Sequence, residues 1–314
     1  MTACAPKERS EDNHIPEKGN VSLTDWKMEG DRLIFTIGAT VDDIDLDEIY
    51  EEIYQEPTDA TLDAQNDYAI VESVTGLAFD KEDAARMLEQ AEEGSVIEVP
   101  VIHTEPQITT QNLEECLFRD VLGTYTTKVS GASNRTTNVS LAADSCNGAI
   151  LLTEEEFSFN DAVGEQTGER GFQKANAILN GEIIQAYGGG ICQVSSTIFA
   201  ASLYAGLEIT ERWNHDLAPR YIPAGMDAAV SWDVLDFRIA NNTEYPVKLE
   251  VDDTDGYLTV NVLGTKTDDT VVEIETKEVD SSSGCREVET YRKNYNGDKS
   301  QVFIEKIAHS AYLW

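Results

Sequence analysis

The chain has 314 residues with 59 acidic and 23 basic side chains, so its formal net charge is −36. This charge excludes nucleic acid as a partner, because phosphate binding needs clustered Lys and Arg side chains. No apolar run approaches the roughly 20 residues that a membrane-spanning helix requires, and the length favours two domains over a single core.

The N-terminal residues 1–20 are polar and lack periodicity, which predicts a flexible tether. Met1-Thr2-Ala3-Cys4 resembles the end of a bacterial lipoprotein signal, in which small residues precede a cysteine that becomes lipid-modified. Cys4 is therefore either a membrane tether through an attached lipid or an incidental cysteine of the tail.

The first predicted module, 21–118, carries most of the charge imbalance, with 25 acidic side chains against 4 basic ones. Its hydrophobic periodicity alternates between strand and helix spacing. Asp80 is suited to cap a helix, and Pro100 argues that its strand lies at a sheet edge. We therefore predict an α+β module with a strand at 33–37, a helix at 46–53, a strand at 68–71, a helix at 81–93 and a strand at 96–102.

The second predicted module, 119–264, combines two helical patterns with a run of strands. The spacing predicts a short helix at 172–179, a helix after the 188–190 glycines that stops at Gly206, and a strand at 207–213. Asp255-Gly256 predicts a hairpin, and Asn296-Gly297 predicts another in a C-terminal β extension, 265–314. The fold class is thus α+β: two mixed modules, the second with a Cys-bearing helix on a largely antiparallel sheet and a C-terminal β-hairpin.

Cys192 is the residue with the clearest chemical potential. It follows Gly188-Gly189-Gly190-Ile191 and opens a helical pattern. Glycines allow positive φ and close backbone approach, while the free N–H groups of a helix start stabilise a thiolate and lower its pKa. A cysteine at this position is a candidate nucleophile.

The partners of such a nucleophile follow it along the chain. His215 is one of only four histidines and lies just beyond the predicted strand at 207–213. Cysteine on a helix start, histidine on a following strand and a carboxylate beyond is the order found in papain-like and transglutaminase-like thiol enzymes. Asp236, or less favourably Asp227 or Asp233, would orient the imidazole. Gln193 or local backbone N–H groups would supply the oxyanion donor.

From about Asp120 to Gly264 the sequence resembles the VanW domain, named from an accessory protein of vancomycin-resistance clusters. The match is long and in order. The matching residues are Phe157-Ser158-Phe159-Asn160, Val163-Gly164, Arg170-Gly171-Phe172, the 188–197 run, His215, Tyr221-Ile222-Pro223, Gly225-Met226-Asp227-Ala228 and Asp236-Phe237.

The resemblance implies an extracytoplasmic protein of the cell envelope of a Gram-positive-type bacterium, with peptidoglycan or its stem peptide as partner. The module before it is similar to a peptidoglycan-binding domain often found ahead of VanW; the alternative is a spacer. Arg170 would pair with a stem-peptide carboxylate or form an internal salt bridge, and Tyr221 would stack on a sugar or pack in the core. The residues expected to contact substrate are Gly189, Gly190, Arg170, Tyr221 and Asp227.

No cofactor or metal is expected, because one cysteine, one histidine and scattered aspartates lack the paired spacing of zinc sites. Cys146 and Cys285 lie in turn-like settings and are either disulfide partners in an oxidising compartment or two unrelated thiols.

Two functional hypotheses remain open. The first is a thiol enzyme of the amidase, peptidase or transpeptidase type, acting through a thioester at Cys192. The second is a non-catalytic wall-binding or scaffold protein in which Cys192 is structural.

Overall fold

The computed structural model describes residues 25–38, 44–179, 182–281, 284–298 and 301–313. The chain divides into two compact units, 1–110 and 111–314. Cys4 and the predicted tether lie outside the described residues. Within the described part, no helix is both long and apolar enough to cross a bilayer.

The first unit combines antiparallel strands with two short helices. Strands β1, β2 and β6 form one sheet in the order β1-β2-β6, and two further pairs are β3-β4 and β5-β7. The elements are β1 (Asp25–Glu29), β2 (Arg32–Thr36), α1 (Leu46–Ile53), β3 (Thr61–Asp63), β4 (Ala69–Val71), β5 (Gly76–Ala78), α2 (Lys81–Glu89), β6 (Val96–Pro100) and β7 (Ile102–Thr104).

Helix capping and burial in this unit follow the sequence pattern. The Asp80 side chain accepts the backbone N–H of Asp83, which confirms the predicted N-cap of α2. Both helices and the β2 and β6 strands contribute to one buried apolar cluster that includes Phe35, Leu88 and Val99. The strand with Pro100 pairs only with β2 in its sheet, so its edge position is also confirmed.

The second unit has a larger core. Its sheets run in the orders β8-β16-β15-β9, β10-β14-β13, β11-β12 and β17-β18-β19. The elements, starting with a helix at the division between units, are α3 (Thr110–Cys116), β8 (Asp120–Lys128), α4 (Ser133–Cys146), β9 (Ile150–Leu151), β10 (Glu156–Ser158), α5 (Phe159–Val163), β11 (Lys174–Leu179), β12 (Glu182–Tyr187), α6 (Cys192–Ala205), β13 (Glu208–Glu211), β14 (Arg238–Ala240), β15 (Val247–Thr254), β16 (Tyr257–Gly264), β17 (Val271–Asp280), β18 (Cys285–Tyr295) and β19 (Gln301–Leu313).

Helix α6 lies at the centre of this core. Every residue from Gln193 to Leu203 is buried, so the helix is enclosed rather than amphipathic. It approaches β8 so closely that a Cβ on Gly123 would lie 2.4 Å from the carbonyl oxygen of Ala201. Gly206 then ends the helix with a left-handed φ of +78°, as predicted. This packing fixes the position of the helix start, where Cys192 lies.

The predicted hairpins and fold class are confirmed. Asp255 and Gly256 both have positive φ and join β15 to β16, as expected of a two-residue hairpin turn. Strand β18 pairs with β19 across the Asn296-Gly297 segment, and β17 adds a third strand to that sheet.

One predicted helix is wrong. The 172–179 segment contributes β11, which pairs with β12 in register from Lys174 and Tyr187 onwards. Asn180-Gly181 separates the two strands in the sequence, and this dipeptide favours a hairpin turn over a helix stop. Strand pairing with β12 therefore determined the structure of this segment, although its local apolar spacing is that of a helix.

Cys146 and Cys285 are both free thiols, so the disulfide alternative is not realised. Cys146 is fully buried in α4, where burial raises the pKa of its thiol.

Candidate active site

Cys192 is the first residue of α6 and follows a turn that only glycine accommodates. Gly188 and Gly190 have φ values of +77° and +113°, which side chains of L-residues disfavour. A Cβ on Gly189 would lie 2.5 Å from the carbonyl oxygen of Ala175 in β11. The glycines therefore hold the thiol at the helix start by close packing. The contribution of Gly189 is that its missing side chain lets the turn approach β11.

The thiol of Cys192 is half-buried and lies 3.5 Å from the carbonyl oxygen of Val230. Burial by itself raises the pKa of this thiol. The side-chain hydrogen bond and the charge of His215 outweigh that effect, so the pKa of Cys192 falls below its ordinary value. The structure thus brings Cys192 and His215 together, as the sequence order predicts.

Asp227 orients the imidazole of His215. Its Oδ2 lies 2.7 Å from Nδ1 of His215 and also accepts the backbone N–H of the same residue at 2.8 Å. A carboxylate can only accept, so Nδ1 carries a proton and the other ring nitrogen is left for the thiol. Asp227 is fully buried behind the imidazole. It therefore does not contact a substrate, in contrast to the expectation from the sequence.

Hydrogen bonds among Cys192, His215 and Asp227 stabilise the charged form of each residue. Burial lowers the pKa of His215, but its hydrogen bonds with Asp227 and Cys192 raise that pKa to about 10. Burial also raises the pKa of Asp227, while His215 and the Arg212 guanidinium bring it below its ordinary value. These directions favour a thiolate, an imidazolium and a carboxylate at neutral pH.

Three further side chains support the Asp227 carboxylate. Its Oδ1 accepts hydrogen bonds from Arg212 Nη2 at 3.0 Å and from the Tyr312 hydroxyl at 2.5 Å. Arg212 also donates to the Asp227 carbonyl oxygen at 2.6 Å and to the Ser310 hydroxyl at 2.8 Å. Tyr312 and Ser310 lie on β19, so the C-terminal sheet completes the environment of this carboxylate.

The expectation that Asp236 orients the imidazole is wrong. Asp236 accepts hydrogen bonds from the Ser158 hydroxyl and the Asn160 backbone N–H, and it pairs with Arg238 at 2.9 Å. These contacts tie β10 and α5 to the start of β14. Asp233 is exposed and has a positive φ in the turn before Asp236.

Gln193 is not free to donate to an oxyanion. Its amide nitrogen donates to the Thr127 hydroxyl at 2.8 Å and to the Lys128 carbonyl oxygen at 3.1 Å. Its amide oxygen accepts from Arg135 at 2.7 Å. Because both amide hydrogens are used within the protein, Gln193 anchors α6 to β8.

Tyr221 packs against the apolar core of the second unit, which is one of the two alternatives expected for it. The Tyr221 hydroxyl donates to the Cys192 carbonyl oxygen at 3.1 Å and therefore braces the first turn of α6. Arg170 is exposed, donates to the Glu165 carbonyl oxygen at 2.6 Å and lies over the Phe172 ring. No carboxylate in the described part of the chain pairs with Arg170, so the internal salt bridge is absent there.

Sequence reasoning missed Arg135, Arg212, Ser310 and Tyr312. A signal existed for Arg212, because a cation three residues before an isolated histidine suggests a shared carboxylate. Tyr312 and Ser310 lie about 120 residues after Cys192 in the sequence, and only the tertiary fold brings them close. Within the described ranges, no group of three or more His, Cys, Asp or Glu side chains could hold a metal ion.

Residues 134–263 match the family model described as VanW like protein. This segment is a VanW-like domain. It contains Cys192, His215 and Asp227, whereas Ser310 and Tyr312 lie beyond the match. The sequence resemblance is thereby confirmed for the domain.

Two relatives extend this comparison. YoaR of Bacillus subtilis (strain 168) is 36% identical over 204 residues, which are 63% of this chain and 65% of YoaR. The vancomycin B-type resistance protein VanW of Enterococcus faecalis (strain ATCC 700802 / V583) is 29% identical over 127 residues, 38% of this chain and 46% of that protein. The chain thus spans less than two thirds of either relative. No solved structure gives a significant match.

Proposed function

We propose that the VanW-like domain is a cysteine-dependent acyl-transfer site. Cys192 is the nucleophile, His215 the general acid and base, and Asp227 the group that orients the imidazole. The observation that carries this proposal is the hydrogen-bonded series from a half-buried thiol through the imidazole to a buried carboxylate.

The reaction begins with attack of the Cys192 thiolate on an amide carbonyl carbon. A sulfur–carbon bond forms, and the carbonyl electron pair moves to oxygen. When the tetrahedral intermediate collapses, the carbon–nitrogen bond breaks and the His215 imidazolium gives its proton to the departing amine. Water or a second amine then attacks the thioester carbonyl carbon, and His215 accepts its proton. The carbon–sulfur bond breaks, so the acyl group leaves as an acid or a new amide and Cys192 returns to the thiolate.

The backbone N–H of Cys192 is suited to stabilise the oxyanion. The neighbouring N–H groups of Gln193 and Val194 are bonded to the carbonyl oxygens of Gly190 and Ile191. The N–H of Cys192 has no acceptor among the described residues. Of the two donors expected from the sequence, the Gln193 amide and local backbone N–H groups, we therefore propose the backbone N–H.

The proposed substrate is the peptide of peptidoglycan, and the proposed location is the extracytoplasmic face of a Gram-positive-type envelope. The relative named for vancomycin resistance supports a role at the cell wall. In this proposal the first unit binds the wall, and a lipid on Cys4 tethers the chain to the membrane.

A non-catalytic wall-binding role is the second candidate. It is favoured by the contact between the Cys192 thiol and the Val230 carbonyl oxygen, which satisfies the thiol without a substrate. In that case Cys192 is a packed side chain that holds the helix start, and the domain recognises stem peptides without breaking them.

Trapping of an acyl-enzyme distinguishes the two candidates. The protein is incubated with purified peptidoglycan and with soluble stem peptides, quenched in acid and measured by intact mass. The thiol proposal expects a mass increase on Cys192 and a released amine, both absent in Cys192→Ala.

Retention on sedimented peptidoglycan is measured in parallel. If Cys192→Ala is retained as well as the wild-type chain and no product forms, the binding role is supported and the catalytic proposal is rejected. Failure of both variants to be retained, with no product, rejects the wall as partner.

A further inference from the structure

Arg135 contacts residues on both sides of Cys192 in the sequence, Gly190 before it and Gln193 after it. Its Nη2 donates to the side chain of Gln193, directly after the cysteine, at 2.7 Å. Its side-chain carbons pack at Gly190, where an added Cβ would come within 2.8 Å of Arg135 Cγ. The guanidinium therefore flanks the turn that presents the thiol, and its charge acts on Cys192 and Tyr221.

This guanidinium is half-buried, and within the described part of the chain it pairs with no carboxylate. Its hydrogen bonds go to the Ser130 carbonyl oxygen and the Gln193 amide oxygen, both neutral acceptors. A guanidinium has five N–H groups, so three remain for another partner. Arg170 also lacks a carboxylate partner among the described residues, but Arg170 is exposed, whereas Arg135 is half-buried beside the cysteine.

The position of Arg135 in its helix is also unfavourable. It is the third residue of α4, and a cation in a first turn opposes the positive end of the helix dipole. Burial adds to this cost and lowers the pKa of Arg135. A bound anion would relieve both effects.

We propose that Arg135 forms a carboxylate subsite beside Cys192, so that the preferred acyl donor is a peptide whose scissile bond lies next to a free C-terminal carboxylate. This inference rests on the proposed thiol function and names its substrate class. A planar guanidinium binds a carboxylate through two parallel hydrogen bonds. It takes the role that the sequence had suggested for Arg170.

Two small alkylating agents of nearly equal size test this subsite. Iodoacetate carries a carboxylate, whereas iodoacetamide is neutral. With either one, the Cys192 thiolate forms a carbon–sulfur bond and iodide leaves. The rate constant for each is measured on the Cys192 peptide by mass spectrometry. We expect Arg135→Met to lower the ratio of iodoacetate to iodoacetamide rates by about tenfold, because a charge-assisted hydrogen bond is lost.

Arg119→Met is the matched control, because it removes the same charge from an exposed side chain that pairs with Asp120. The ratio in this variant should equal that of the wild-type chain. A fall in Arg170→Met instead of Arg135→Met would overturn the assignment, as would an equal slowing of both agents in Arg135→Met. Wild-type Cys192 that is inert to both agents at neutral pH would reject the proposed thiol function itself.

A measurement on the wild-type chain does not depend on the folding of any variant. N-Acetylalanine and N-acetylalaninamide differ only in the terminal carboxylate. The acid should protect Cys192 from iodoacetamide at lower concentration than the amide does, and equal protection by the two would overturn the subsite.

Discussion

Asp227 binds His215 twice through one oxygen atom: Oδ2 accepts both the ring Nδ1–H and the backbone N–H of this residue. The carboxylate therefore fixes the imidazole and the chain that carries it. Its other oxygen is held by Arg212 and Tyr312, so the carboxylate cannot rotate away without breaking several hydrogen bonds. The hydrogen bond from this carboxylate raises the pKa of His215, and the hydrogen bond and charge of His215 in turn lower the pKa of Cys192.

Asp227→Asn should reduce the reactivity of Cys192 at neutral pH. Loss of the negative charge lets the pKa of His215 fall from about 10 towards its ordinary value, and the pKa of Cys192 rises as the imidazolium is lost. Since each pKa unit changes the thiolate fraction about tenfold, we expect at least about a tenfold slower iodoacetamide reaction at pH 7. The measurement is the pH profile of Cys192 alkylation on protein shown to be folded by near-ultraviolet circular dichroism.

Asp236→Asn is the control for this variant. It weakens the contacts with Ser158, Asn160 and Arg238 and should lower the stability. The midpoint of the Cys192 profile should not move. A shift of the midpoint in Asp236→Asn, with none in Asp227→Asn, would restore the assignment made from sequence.

The stability of the fold should decline between about pH 8.5 and 10. The raised pKa of His215 contributes stability that is complete below its unfolded pKa of about 6.5 and is lost as the pH rises through about 10. The lowered pKa of Cys192 contributes stability that is complete above its unfolded value of about 8.5 and is lost as the pH falls. Below about pH 8.5 the two contributions oppose each other, and above about pH 8.5 only the loss from His215 remains.

The double variant Cys192→Ala/His215→Gln lacks both groups and serves as the reference. Urea unfolding of this variant and of the wild-type chain gives the difference in unfolding free energy at each pH. We expect this difference to fall by about 1–2 kcal/mol between pH 8.5 and pH 10. A difference that keeps rising across this range would contradict the raised pKa of His215.

Tyr312→Phe should weaken the site from outside the VanW-like segment. The hydroxyl donates to Asp227 Oδ1 and accepts the backbone N–H of Gly225 at 2.6 Å, so its removal leaves buried groups unpaired. We expect a loss of about 1–3 kcal/mol in unfolding free energy and a higher alkylation midpoint for Cys192. Tyr291→Phe is the control, since its hydroxyl bonds Glu289 on the same sheet. Equal midpoints in both variants would reject a role for the C-terminal sheet in the site.

Local chemistry explains which parts were predictable. The start and end of α6 follow from glycines and apolar spacing, and the Asp255-Gly256 hairpin follows from its turn residues. The proximity of Cys192 and His215 also followed from their order in the chain. These features depend on neighbours in sequence or on one helix-to-strand connection.

The choice between Asp227 and Asp236 depended on how the 213–230 segment folds back. The Ala229 backbone N–H bonds the Trp213 carbonyl oxygen at 2.7 Å, and this closure brings Asp227 beneath the imidazole. A signal was present, because Asp227 lies within the apolar run Met226 to Val230 and a buried carboxylate must be paired. Tyr312 and Arg135 gave no such local signal, since their contacts with the site residues Asp227 and Gln193 are between segments distant in sequence.

Gly189→Ala should disturb the thiol by moving its turn. The new Cβ would lie 2.5 Å from the carbonyl oxygen and 2.7 Å from the carbonyl carbon of Ala175, so the strand or the turn must shift. We expect a loss of about 1–3 kcal/mol in stability, and slower Cys192 alkylation at pH 7 because the thiol leaves the imidazole. Gly168→Ala is the matched control: its Cβ would meet only the Tyr187 ring at 3.2 Å, and that exposed side chain can move aside. Both variants are compared by urea unfolding and by alkylation rate, and a Gly189→Ala variant with wild-type values in both would show that close packing of this turn is not needed.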